Sequence, residues 1–166
     1  MATLGALVEQ ERSYNDVSSE VRNFISRIVG PSLDLLGTSI ELLKVEGLIE
    51  EGLKNGDPNQ EILRLSESGM KELKDYLRSN LRLGGSDLNK LVVALKLRFI
   101  DVLDTEHKLE ELLGLRTMYE SELARLSDLQ TQSQWLTGLL SASLKLELDI
   151  AEERINWCSE QIESIR

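Results

Sequence analysis

The sequence predicts a mainly α-helical chain: an N-terminal winged helix-turn-helix with a small β-hairpin, then a C-terminal arm of three helices. Three observations predict it. Only two prolines occur in 166 residues, and abundant Leu, Glu and Lys favour long helices. Strong turn chemistry, Asn55-Gly56-Asp57-Pro58, separates two short β-type runs. Beyond the linker Gly84-Gly85, the chain reads as three long helical segments.

The elements follow in order. Ala2 to Glu9 is a short apolar helix with Leu4, Leu7 and Val8 on one side. Ser13-Tyr14-Asn15-Asp16 starts the next helix: Ser and Asn satisfy free N–H groups, and Asp16 suits the positive helix end. Val17, Val21, Phe24, Ile25 and Ile28 give it one apolar face over about 15–28. Gly30-Pro31 ends it. A third helix starts near Ser32, with Leu33, Leu36, Ile40 and Leu43 inward, and Gly47 stops it. Leu48-Ile49-Glu50 and Glu61 to Leu65 are the hairpin strands. Ser66 caps a helix from Glu67 to about Leu81, with Leu73, Tyr76 and Leu77 inward. Gly69 early in that helix costs about 1 kcal/mol relative to Ala.

In the second half, Ser86 and Asp87 open a helix through about Leu103. Val92, Val93, Leu95, Leu97, Phe99 and Ile100 surround most of it, which predicts burial on more than one side. Asp104-Thr105 caps a helix over about 106–131. Its Leu109, Leu112, Tyr119, Leu123 and Leu126 follow a heptad-like spacing that Arg116 interrupts. Ser133 opens the last helix, which runs to about Glu163 and carries Trp135, Leu139, Leu146, Ile150, Trp157 and Ile162. So much apolar surface on long helices exceeds what one chain covers. A homodimer is therefore expected, through Leu109, Leu112, Tyr119, Leu126, Trp135, Leu139, Ile150 and Trp157; a self-sufficient bundle is the alternative. The expected domains are 1–82 and 86–166.

Composition excludes several classes. The single cysteine, Cys158, precludes an intramolecular disulfide and fits a reducing compartment. It reads as a half-buried thiol. One histidine, His107, cannot make a His-rich metal site. No apolar run approaches the roughly 20 residues of a membrane span, and Met1 to Gln10 lacks the basic start of a signal peptide. The expectation is a cytoplasmic protein without membrane or cofactor. The net charge is −10, with nine Lys/Arg against fourteen Asp/Glu in residues 1–80 and ten against fifteen in 81–166. Neither half is the basic arm of a nonspecific nucleic-acid binder. There is no P-loop, Rossmann glycine pattern or Ser-His-Asp order. Glu110-Glu111 and Glu152-Glu153 are helix neighbours that point apart, so they read as solvated faces and not as catalytic pairs. No enzyme is expected.

Several runs resemble PadR-type transcriptional regulators. Ser32 to Ile49, SLDLLGTSIELLKVEGLI, is similar to their recognition-helix segment. Leu65-Ser66-Glu67-Ser68-Gly69 resembles the Leu-Thr-Glu-x-Gly after the wing. Leu4-Gly5-Ala6-Leu7 resembles the first helix, and Ser13-Tyr14-Asn15-Asp16 the Gly-Tyr-Glu-Leu of the second. Glu120 to Leu126 and Glu152 to Trp157 resemble the C-terminal dimerisation helices. The likeness runs over nearly the whole chain. It implies a dimeric regulator that binds DNA through the winged helix, and some members of the family answer to small-molecule effectors. The reading segment departs from the family's Ser-Pro-Gly-Ser/Thr-Leu-Tyr: Leu35 and Gly37 replace groups that donate to phosphates and bases. Lys44 is its one cation, against Asp34 and Glu41, and the wing from Asn55 to Gln60 has none. Candidate DNA contacts are Arg12, Tyr14, Arg22, Ser32, Thr38, Lys44 and Lys54, with Arg27 and Arg64 as further cations. Two readings stand: a dimeric DNA-binding regulator, or a winged-helix-derived protein-interaction module that has lost DNA binding and offers its acidic surface to a protein partner.

Overall fold

The computed structural model of the protein describes residues 1–30, 39–54, 60–80, 87–131 and 136–166. Its helices are α1 (Ala2–Glu9), α2 (Tyr14–Val29), α3 (Ser39–Val45), α4 (Glu67–Leu77), α5 (Asp87–Phe99), α6 (Thr105–Thr131) and α7 (Leu139–Ile165). Strands β1 (Ile49–Leu53) and β2 (Glu61–Leu65) lie between α3 and α4, and a 3-10 turn, Ile100–Val102, follows α5. The expected order of helices and hairpin is therefore present. The expected start of α3 near Ser32, the turn at Asn55 to Pro58, the linker Gly84-Gly85 and the Ser133 helix start lie outside the described residues.

Contacts divide the chain into two units. The first holds Met1–Ser79 together with α5. In it β1 and β2 pair antiparallel, with Ile49 opposite Leu65 and Gly52 opposite Ile62. Arg12 widens the ladder: its N–H donates to the Leu63 carbonyl at 3.3 Å, and its carbonyl accepts from the Leu63 N–H at 2.7 Å. Val17, Val21 and Ile25 of α2 are buried, as are Leu4 and Leu7 of α1, Ile40, Ile49, Leu73 and Leu77, and together they make up the core of this unit. Two residues expected inward turn out. Ile28 is exposed at the last turn of α2, and Tyr76 is exposed because Leu73 and Leu77, four apart, already take the inner stripe of α4.

Local chemistry sets the element ends. The Ser13 hydroxyl accepts from the Asp16 N–H at 3.2 Å and caps α2. Gly47 holds φ at +70° just after α3, a conformation that L side chains rarely adopt. The Ser66 hydroxyl accepts from the Gly69 N–H at 2.9 Å and donates to the Gly47 carbonyl at 2.7 Å. It therefore caps α4 and ties that helix to the turn after α3. Gly69 is required there, because a β-carbon would run into the Leu48 carbonyl and the Leu65 side chain. Its helix-propensity cost is the cost of close packing.

From Leu91 to Ile100 no residue of α5 or its extension is fully exposed, as its apolar surround predicts. The Phe99 ring lies against Gly5 of α1. Lys96 is buried, 3% exposed, and donates to the Leu77 carbonyl at the end of α4 at 2.5 Å. A lysine there satisfies an orphan carbonyl and complements the negative helix end.

The second unit, Leu103–Arg166, is built on α6 packed along α7. Asp104 caps α6, accepting from the His107 N–H at 3.0 Å, and also holds the His107 ring Nδ1 at 2.7 Å. Leu112, Leu115 and Leu126 of α6 are buried, as are Leu144, Leu148, Ala151, Cys158 and Ile162 of α7. Leu126, Leu144 and Leu148 form one cluster, flanked by Leu123, Leu129 and Leu136. Cys158 is fully buried, where the sequence predicts half burial.

Candidate nucleic-acid interface

A winged helix offers the start of α2, the reading helix and the hairpin to a duplex. Their cations decide how phosphate is met. Arg12 enters from the chain between α1 and α2. Its backbone joins the sheet, so its side chain is led inward and is 16% exposed. The guanidinium pairs with Glu9 at 3.1 Å and with Glu20 of α2. Arg98 of α5 reaches the same two carboxylates, at 3.1 Å and 2.5 Å, and stacks over the Phe24 and Phe99 rings, 4.9 Å from each centroid. Two cations thus neutralise two carboxylates inside the unit. Arg12 braces α1 against α2, and its Nε is buried without a hydrogen-bond partner.

Lys44 is held as firmly. Its Nζ meets Glu51 of β1 at 2.5 Å and Glu41 of its own helix at 3.0 Å. The bonds to Glu51 and then Glu41 hold the ammonium above its ordinary pKa. Arg64 pairs with Glu11 at 2.7 Å. Arg22, Arg27 and Lys54 are exposed and make no ion pair among the described residues. Tyr14 stands exposed at the first position of α2. Ser32 and Thr38 lie outside the described residues.

The structure therefore separates the candidates into two sets. Arg22, Lys54 and Tyr14 are available; Arg12 and Lys44 are committed to carboxylates. Sequence spacing gives no sign of the Glu9–Arg12–Glu20–Arg98 group, because Arg98 is 78 residues from Glu20. An open groove of about 990 Å³ adjoins this group, between α2, the chain at Gln10 to Ser13, the hairpin and Arg98. Its rim mixes Arg27 and Lys54 with Glu11, Asp16 and Glu61, so it presents no concentrated positive field.

The last turn of α3 turns Leu42 and Val45 to solvent, with Val45 85% exposed, and Glu46 just past it is exposed as well. None of them donates to a phosphate. In helix-turn-helix proteins the N-terminal residues of the second helix read bases, so this turn lies past the reading positions.

The expected interface residues of the second unit also divide. Leu112 and Leu126 are buried within the protomer, at 2% and 8% exposure. Leu109, Tyr119 and Ile150 are half-buried, and Tyr119 stacks under the Arg154 guanidinium at 5.4 Å. Leu139 and Trp157 are exposed, together with Leu140 and Leu146. Trp135 lies outside the described residues. Among the described residues no group of three His, Cys, Asp or Glu side chains gathers to hold a metal, and no helix is long and apolar enough to cross a membrane.

The family described as "Putative AphA-like transcriptional regulator" matches residues 1–162. No curated protein matches the chain. Among solved structures, smu.1604c of Streptococcus mutans UA159 is 23% identical, with 97% of this chain and 96% of that one covered, at a TM-score of 0.39. The PadR-like regulator BC1756 of Bacillus cereus is 15% identical over 98% and 94%, at 0.41. PadR of Bacillus subtilis, in complex with operator DNA, is 18% identical over 99% and 96%, at 0.41.

Proposed function

The chain belongs to the AphA-like family of transcriptional regulators, and on that premise we propose that it binds operator DNA as a homodimer. In this reading residues 1–82 contact DNA and residues 86–166 dimerise. The observation that carries the proposal is the winged-helix order from α1 to α4 inside the matched span, with the start of α2 and the hairpin both open to solvent. A regulator without enzymatic chemistry fits the family. A small-molecule effector enters only through the resemblance to PadR-type regulators, and no effector is assigned.

The cations favour light electrostatic contact. With Arg12 and Lys44 neutralised, Arg22 and Lys54 are the proposed phosphate contacts, and Tyr14 adds a hydroxyl at the start of α2. Each phosphate contact contributes about −0.9 to the slope of log K against log salt. Two contacts per subunit predict a slope of about −4 for the dimer. The test is fluorescence anisotropy with the DNA upstream of the protein's own gene, over a salt series. Arg22→Ala or Lys54→Ala should weaken binding and flatten the slope by about two in a dimer. Arg12→Lys should leave the slope unchanged. No specific binding at low salt would remove the proposal.

A further inference from the structure

We infer that the outward face shared by the last turn of α3 and the neighbouring part of α4 docks a basic amphipathic helix of another protein. Leu42 and Val45 of α3 and Glu46 just past it lie at spacings of three and four, and the Glu46 N–H still donates to the Leu42 carbonyl at 2.9 Å, so the three share one side. Leu42 and Val45 are 56% and 85% exposed. Tyr76 of α4 is 41% exposed and brings a third apolar body. The fold ties the end of α3 to the start of α4. Ser66 at the start of α4 donates to the Gly47 carbonyl just after α3, and Gly69 lies under the Leu48 carbonyl. The Tyr76 hydroxyl hydrogen-bonds Glu72, and Glu46 is near enough to act on the same phenol electrostatically.

The charges around the apolar residues select the partner. Glu46 and Glu72 flank them, and Glu41 stands one turn back. The cation of α3, Lys44, is spent on Glu41 and Glu51; on α4, Lys71 and Lys74 lie on other sides of the helix from Glu72 and Tyr76. A duplex meets carboxylates here and is repelled. A second copy would set acid against acid. A protein helix with an apolar stripe flanked by Lys or Arg matches both features, seating the stripe on Leu42, Val45 and Tyr76. This surface lies past the reading positions of the motif, so it is compatible with the proposed DNA contact and does not depend on it.

The experiment uses the full chain and two labelled synthetic helical peptides, one with a Leu stripe flanked by Lys and one with the same stripe flanked by Glu. Anisotropy should show binding of the Leu/Lys peptide and none of the Leu/Glu peptide. Leu42→Ser with Val45→Ser, and separately Glu46→Lys, should weaken it about tenfold. Leu139→Ser with Leu146→Ser, an equally exposed apolar pair on α7, should leave it unchanged. All substituted residues are exposed, and thermal melts would confirm that the variants fold. The same variants are titrated with DNA, where the charge-neutral Leu42→Ser/Val45→Ser change should leave affinity and salt slope unchanged. No binding of the Leu/Lys peptide, equal binding of both peptides, or equal loss with the α7 pair would overturn the inference. A fall in DNA affinity with peptide binding intact would overturn it too, by assigning the face to the duplex. If DNA binding is absent in the wild type while the peptide arm behaves as expected, the operator proposal fails and this one stands.

Discussion

Gly69 shows how one position reverses a propensity argument. On helix propensity alone, Gly69→Ala gains about 1 kcal/mol. In the fold the added methyl meets the Leu48 carbonyl, which is backbone and cannot move aside. Overpacking of this kind costs about 1–3 kcal/mol. The expected outcome is a lower melting temperature for Gly69→Ala, and a stabilised variant would refute the packing account. Ser66→Ala should also destabilise, by about 1 kcal/mol for the lost cap, because it strands both the Gly69 N–H and the Gly47 carbonyl. Cys158 gives a third test at this scale. Burial pushes its thiol up, Arg116 pulls against that, and Glu120 adds to it. The thiolate is the reactive form. At pH 8 a thiol reagent should therefore leave the native protein unmodified and label one group after denaturation. Rapid labelling of the native protein would contradict the buried placement.

At the scale of elements, the tie between α3 and β1 is the feature that bears on DNA. Lys44 bridges Glu41 and Glu51, so the reading helix presents no free cation among its described residues. A lysine whose pKa is raised on folding stabilises the native state below its unfolded value near 10.5, and that contribution is lost as pH climbs through the raised value. The tie is thus intact throughout the neutral range. Glu41→Gln with Glu51→Gln should free the ammonium and strengthen DNA binding severalfold if this part of α3 approaches phosphate. Unchanged affinity would place it away from the duplex, as the docking surface requires. The elements themselves were legible in sequence wherever a local signal marked them. Ser13, Ser66 and Asp104 cap the helices they were expected to cap. Glu61 to Leu65 is a strand as expected. Long-range pairings were not legible: the Leu95-Lys96-Leu97 run reads as apolar surround, and only the fold brings Lys96 to the Leu77 carbonyl. Charge counting likewise left Arg12 and Lys44 as candidate phosphate contacts, because one carboxylate partner of each, Glu20 and Glu51, comes from another element.

Across the whole molecule, α7 carries the argument for assembly. Its inner stripe is Leu144, Leu148, Ala151, Cys158 and Ile162. Of the residues the sequence picks out on this helix, Ile162 belongs to that stripe, while Leu139, Leu146, Ile150 and Trp157 form a second apolar stripe on a different side. Spacing reveals both stripes but does not say which one α6 covers. The structure gives the first to α6 and leaves Leu139, Leu146 and Trp157 exposed at 88%, 58% and 40%. An apolar stripe left over after the protomer's own packing is what an association surface needs. Leu139→Glu with Leu146→Glu should therefore give a folded monomer in sedimentation velocity, since neither side chain supports the protomer's core. Leu126→Glu should behave differently and unfold the second unit, because Leu126 is buried in one cluster with Leu144 and Leu148. The two outcomes separate an assembly surface from an internal one. DNA binding should follow assembly, because a dimer holds two half-sites about one helical turn apart and a monomer holds one. The Leu139→Glu/Leu146→Glu protein should accordingly lose specific binding at concentrations where wild type is saturated, while its salt slope, measured at higher concentration, falls by half. A wild-type chain that sediments as a monomer at high concentration would remove the homodimer, and a double variant that remains dimeric would move the interface elsewhere.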